Sequence, residues 1–227
     1  MDAHKRLREA QQAAIEGRHA EALRGYEWFH RNALKHERSL YGVRLSFALW
    51  YWVELGKVYP KALQSLERIR RNKTAALRNG RGNRETFHDV VSINEHLDKQ
   101  RDTYRLFVSL DKKRPTLATK CASVAMPAVV RYRDFKLARR HIQDPDTVLS
   151  RDARLFGEGM QWASQKAGKQ RAASREAHIR IYCKDIALLT AILRGSGERA
   201  KATELRKQAL ALVKPSSLRK IVAARLR

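Results

Sequence analysis

The side chains able to do chemistry in this chain are eight histidines, two cysteines and 48 lysines and arginines. Histidine works as a general acid or base near neutral pH, or ligates a metal. Neither use has its familiar spacing here. There is no HExxH, no paired-cysteine spacing, no GxSxG elbow and no glycine-rich phosphate loop after a strand. His88 and His96 lie eight residues apart on one expected helix, too far to share a metal without a third element. Cys121 and Cys183 have no CxxC neighbour, so neither a disulfide framework nor a zinc site is expected. The one recurring pair is an arginine and a histidine with four to six residues between them: Arg24/His30, Arg31/His36, Arg81/His88 and Arg171/His178. In so arginine-rich a chain, pairs of this kind arise by chance at about this frequency.

Arg31-Asn32-Ala33-Leu34-Lys35-His36 is the pair that resembles ribonucleases of the HEPN type, which are small, helical and often basic and favour a polar residue after the arginine. That resemblance implies catalytic roles for Arg31 and His36, or for Arg171 and His178, and cleavage of RNA. It is the enzymatic alternative; no cofactor and no metal belong to either reading.

Positive charge is the outstanding property. The net charge is +25, distributed as +6 over residues 1–72, +8 over 73–145 and +11 over 146–227. The excess therefore covers the whole chain, and it attracts nucleic acid, anionic lipid or an acidic protein. Three features concentrate it. Arg78, Arg81 and Arg84 sit among Asn79, Gly80, Gly82 and Asn83, where mobile guanidinium groups suit anion contacts. Arg133, Lys136 and Arg140 fall on one face of an expected helix, with Arg139 beside them. The last 23 residues, Leu205 to Arg227, hold seven basic side chains and no acid. Their final segment, from Ser216, reads as a basic amphipathic helix, either a cap on the preceding hairpin or a membrane-surface helix. Trp28 and Trp162 are candidate base-stacking platforms as well as candidate core, but aromatics are not interleaved with the basic clusters.

The elements that must carry these groups are helices. Gly and Pro are few (11 and 5) and no β alternation of useful length occurs, so the chain is all-α. Its densest apolar run, Leu40 to Leu55, reads as one helix buried on nearly all sides, with Trp50 and Trp52 in the core. Gly56 and Pro60 break it, and an amphipathic helix with Ala62, Leu66 and Ile69 follows. Residues 73–84 read as a basic loop. A long helix then carries Val90, Ile93, Leu97, Tyr104 and Phe107, with a polar gap at Gln100 and Arg101 able to line a groove. Pro127 ends a shorter apolar helix, Val129 to His141 continue as a basic one, and Asp144 caps the next.

Gly17, Ala22 and Tyr26 stand five and four residues apart, a spacing that resembles the turn and second helix of tetratricopeptide-like repeats. Gly56 with Ala62 and Leu66, and Gly197 with Ala202, Ala209 and Pro215, repeat it with departures: Ala62 is one place late, and Leu66 and Arg206 replace the aromatic. The resemblance implies stacked antiparallel helical hairpins, an α-solenoid wound as a right-handed superhelix. It spans a single domain, 1–227, divisible into lobes 1–72 and 85–227 around the basic loop 73–84. The expected function is that of a non-enzymatic binding scaffold for an acidic protein or peptide, with Arg78, Arg81, Arg84, Arg133, Lys136 and Arg140 as the contact set. Nucleic-acid binding is the alternative. No membrane span is expected, Asp2, Glu9 and Glu16 argue against a leader peptide, and a reducing, cytoplasmic setting fits the unpaired cysteines.

Overall fold

The computed structural model describes residues 2–142 and 144–226, and among them every regular element is a helix. The fold is all-α. The chain divides into two compact units, residues 1–125 and 126–227.

In the first unit, α1 (Ala3–Ile15) starts where the Asp2 carboxylate accepts the backbone N–H groups of His4 and Lys5, at 2.8 and 3.2 Å. Gly17, at φ 77°, reverses the chain into α2 (His19–His36). The two helices approach closely because residue 25 has no side chain: a Cβ there would lie 2.5 Å from that of Ala10. Ala13, Ala22, Tyr26, Phe29 and Ala33 are buried behind this contact. A 3₁₀ turn (Arg38–Leu40) then leads to α3 (Tyr41–Leu45) and α4 (Phe47–Val58).

The apolar run from Leu40 is thus not one helix. Ser46, at φ −124° and ψ −90°, separates two pieces and resets the facing of the second. Ala48, Leu49, Trp52 and Leu55 point inward, and Trp52 donates its indole N–H to the Ala62 carbonyl at 3.0 Å. Phe47, Trp50 and Val58 fall on the outward stripe instead. Trp50 is 51% and Phe47 63% exposed, so Trp50 is not a core residue.

α5 (Pro60–Arg78) begins with proline at a position where its missing N–H costs nothing. It continues through 73–78 because Leu77 supplies a fully buried anchor, leaving only 79–83 as loop. Asn83 then caps α6 (Arg84–His96) in a reciprocal bond pair with Thr86. The long helix expected over 85–108 is a hairpin: α6 ends, Asp98 takes the left-handed conformation (φ 54°), and α7 (Gln100–Lys113) returns. The polar residues Gln100 and Arg101 open α7 just past that turn. Successive helices pack on each other from α4 to α7, with Leu66, Ile93, Phe87 and Phe107 between them.

α8 (Pro115–Arg131) carries the chain from one unit into the other and runs through Pro127 without breaking. The carbonyl that Pro127 cannot bond belongs to Ser123, an exposed position where water can take it. In the second unit, α9 (Phe135–Arg140) starts after a turn in which Arg133 has φ 58°. Val129 to His141 is therefore two helical pieces. α10 (Pro145–Ser164) is capped by Asp144 as the sequence predicts, and α11 (Gly168–Gly195) packs along it. Phe156 stacks on Tyr182 at 4.6 Å, and the Tyr182 hydroxyl donates to the Ala209 carbonyl at 2.8 Å. α12 (Arg199–Ala211) follows Gly197 (φ 95°), and α13 (Ser216–Arg225) lays Leu218 and Val222 against α11 and α12. No helix among the described residues is long and apolar enough to cross a membrane.

Candidate functional site

Arg78 ends α5, Arg81 is exposed in the 79–83 loop, and Arg84 opens α6. The loop is braced. The N–H groups of Arg81 and Gly82 both reach the Ala76 carbonyl, at 2.9 and 3.2 Å. The Arg114 guanidinium bridges the carbonyls of Leu77 and Gly82, each at 3.2 Å. Arg84 Nε donates to the Lys120 carbonyl at 3.0 Å. Arg84 thus has a structural partner, while Arg78 turns toward a different set of neighbours.

Those neighbours form a cavity of about 440 Å³ walled by α5, α6 and α7. Arg70, Arg71, Arg78 and Arg105 line it, with one acidic side chain, Asp102. Arg70 is held in the wall: its guanidinium donates to Glu67 at 2.8 Å, Asp102 at 2.9 Å and Asn94 at 3.3 Å. Lys99 adds a second cation on Glu67. Arg71, Arg78 and Arg105 make no hydrogen bond or ion pair with any described residue. Thr74 Oγ1, also on the wall, is buried without a partner. Three unpaired guanidinium groups and a free hydroxyl around one concavity are an anion-binding arrangement, because each keeps its donors unspent. Of the residues expected from sequence, only Arg78 belongs to it. Arg71 and Arg105 sit on α5 and α7, brought together by packing that no spacing rule announces.

Arg133, Lys136 and Arg140 belong to the second unit. The turn at Arg133 takes it off the helix that carries Lys136 and Arg140, so the three do not share one continuous helix face. Arg139 is committed to Glu198, with Nε at 2.5 Å from the carboxylate.

The residues of the ribonuclease alternative are placed as follows. Arg31 is exposed on α2, and the His36 ring stacks on Trp28 at 5.5 Å. Arg171 Nε donates to the Lys166 carbonyl at 2.7 Å, and the His178 ring packs edge-on against Trp162 and over Gly159. Each arginine–histidine pair lies along a single helix. Trp162 is exposed, but Lys166 Nζ sits 4.2 Å above its ring, a cation–π contact that occupies one face. No group of three or more His, Cys, Asp or Glu among the described residues is placed to hold a metal.

The first unit also buries an ionic cluster that charge counting along the chain does not reveal. Arg44 and Asp89 pair in the interior, both side chains almost fully buried, and Lys73 reaches the second Asp89 oxygen. Arg44 Nη1 also donates to the His30 carbonyl at 3.3 Å. Burial, assisted by the Arg44 charge, pushes His30 down to about 3, so the imidazole is neutral. Burial works to raise the Asp89 carboxyl, but Arg44 and Lys73 outweigh it and hold the group below its ordinary range. Beside it, the Tyr41 hydroxyl and His88 Nδ1 are 2.9 Å apart. Arg44 and Asp89 are buried, while Lys73, Tyr41 and His88 at the edge of the network are partly exposed.

The described residues form an all-α protein whose first unit carries an open cavity lined chiefly by arginines. Comparison with protein-family models, with curated proteins and with solved structures finds no match.

Proposed function

We propose that the chain is a non-enzymatic helical-repeat scaffold of tetratricopeptide-like build, and that its basic face in the first unit holds an acidic protein or peptide. The observation that carries this reading is the cavity where Arg71, Arg78 and Arg105 stand without acceptors. The repeat reading is supported by a recurring register. Three left-handed turn residues are followed five and nine positions later by buried side chains: Gly17, Ala22, Tyr26; Asp98, Thr103, Phe107; Arg133, Ala138, Ile142; Gly80 and Gly168 depart from it, since Glu85 and Ala173 are exposed. Gly197 and Ala202 keep the first step.

An acidic peptide suits this face better than RNA or DNA. The cavity wall contains no aromatic side chain, so it offers no stacking platform for a base. The test is fluorescence anisotropy of nuclease-treated protein with a labelled glutamate-rich peptide, a single-stranded RNA and a duplex DNA, from roughly 50 to 200 mM salt. The peptide should bind at physiological salt, and charge reversal at Arg71, Arg78 and Arg105 should weaken it by at least about tenfold. Reversal at Arg133, Lys136 and Arg140 should matter less. RNA or DNA bound more tightly than the peptide, or a peptide affinity indifferent to the first triple reversal, would overturn the reading.

A further inference from the structure

We infer that the α5–α6–α7 cavity is a phosphomonoester site, recognising a phosphorylated side chain of the acidic partner rather than a carboxylate. The inference rests on the proposed binding of an acidic peptide to this face and names the group that occupies its centre.

The argument is one of stoichiometry. Four guanidinium groups and one carboxylate line the cavity, and that carboxylate, Asp102, is already bonded to Arg70. What remains is three unpaired cations, Arg71, Arg78 and Arg105, and the unpartnered hydroxyl of Thr74. A glutamate or aspartate brings one negative charge and two oxygens, which one bidentate arginine satisfies. It would leave two guanidinium groups of the same cavity without a counter-charge. A phosphomonoester brings about −1.5 to −2 charges and three acceptor oxygens on a tetrahedral centre, so three separate donors can each find an oxygen. The Thr74 hydroxyl lies in the same wall, unpartnered and closed to solvent, and reaches a ligand oxygen once the neighbouring guanidinium groups turn toward that ligand.

The wall itself is prepared to hold the arginines apart. Arg70 is locked by Glu67, Asp102 and Asn94, and Asn94 in turn donates through its amide to Thr103 Oγ1 at 3.0 Å. Asn94 and Thr103 are buried, which fixes the spacing between α6 and α7 and therefore the position of Arg105 relative to Arg71 and Arg78. A volume of about 440 Å³ lies within the range of small-ligand pockets and exceeds a phosphoryl group, leaving room for the backbone that carries it.

The experiment uses the full chain and three fluorescein-labelled peptides that differ only at a central residue flanked by glutamates: phosphoserine, serine or glutamate. The phosphoserine peptide should bind at least about tenfold more tightly than the glutamate peptide, and inorganic phosphate should compete for it. In Arg71→Gln and Arg105→Gln proteins the preference should fall to within about twofold, while the glutamate peptide loses much less. Both side chains are exposed, so these variants keep the fold. A fourth protein, Thr74→Val, should lower the preference without touching any charge. Equal binding of the phosphoserine and glutamate peptides would overturn the phosphate assignment while leaving the acidic-peptide reading in place. Absence of binding by all three peptides would overturn both. A phosphoserine preference that survives Arg71→Gln and Arg105→Gln would remove the site from this cavity.

Discussion

Asp89 to asparagine is the substitution whose cost follows most directly from the first unit's interior. The change keeps the side-chain shape and removes one charge. Arg44, almost fully buried, then has no counter-ion, and its remaining bonds go to His30. Removing one partner of a buried ion pair costs roughly 3–5 kcal/mol. Lys73, the other cation on Asp89, is about a third exposed and can turn to water, so the lower end applies: about 3 kcal/mol. With a urea dependence of roughly 2 kcal/mol per molar, the unfolding midpoint of the first unit should fall by about 1.5 M. Tryptophan fluorescence reads this unit well, since Trp28, Trp50 and Trp52 all lie in it. The double variant Arg44→Met/Asp89→Leu should recover most of the loss, because a buried pair replaced by apolar groups leaves no stranded charge. A midpoint shift below about 0.5 M for Asp89→Asn, or a double variant no better than the single one, would refute the reasoning. The sign of the pH dependence agrees: the depressed Asp89 carboxyl contributes stability above its ordinary value, and that contribution is lost as pH falls through the folded one.

Three further outcomes follow from other residues. His30, held neutral chiefly by burial and next by Arg44, should show no NMR titration between about pH 5 and 8. Because the unfolded chain takes up a proton there first, stability should decline as pH drops below about 6.5, by up to roughly 1.4 kcal/mol per pH unit; an ordinary titration near neutrality refutes this. Gly25→Ala forces a Cβ to within 2.5 Å of Ala10 Cβ, so α1 and α2 must separate, at about 1–3 kcal/mol. Calorimetry should show a lower melting temperature, restored in part by adding Ala10→Gly; an unchanged melt would mean the helices are not so closely packed. Cys121, whose thiol burial pushes up to about 11, should resist a thiol reagent in the native protein and react on denaturation. Rapid native labelling would show that the first unit opens there.

The fold was legible where the chain uses the residue type that its geometry favours, and obscure where it does not. Gly17 marks its turn because glycine adopts a left-handed conformation freely, and the buried Ala22 and Tyr26 follow at the expected steps. Asp98 and Arg133 adopt the same conformation without being glycine, so the hairpin between α6 and α7 reads as one long helix with a polar gap. Leu77, after the helix formers Ala75 and Ala76, anchors the continuation of α5 past Lys73, and so short an apolar stretch ahead of arginines and asparagines is a weak signal. Ser46 reverses the reading of Trp50. One residue off helical geometry rotates α4, and the tryptophan moves from core to surface while Trp52 stays inside.

The anion site obeys a different logic. Sequence reasoning favours arginines set among turn residues, and the glycines and asparagines of 79–83 select Arg78, Arg81 and Arg84. Binding capacity depends instead on whether a guanidinium has already spent its donors. Arg84 is bonded to the Lys120 carbonyl, Arg114 to two carbonyls of the loop and Arg139 to Glu198, so each stabilises its own surroundings. Arg71 closes the basic run Arg68-Ile69-Arg70-Arg71 on α5 and Arg105 lies 34 residues further on in α7, yet they stand unpaired around one cavity whose one acid is committed to Arg70. In a chain of net charge +25, acids are too few to neutralise every base, and the fold decides which bases go without. Where three of those converge on a concave wall, the deficit becomes local. Adding an acid there should therefore compete with the ligand: Ala75→Glu, on the same wall, should weaken acidic-peptide binding by pairing with a guanidinium group from within the protein.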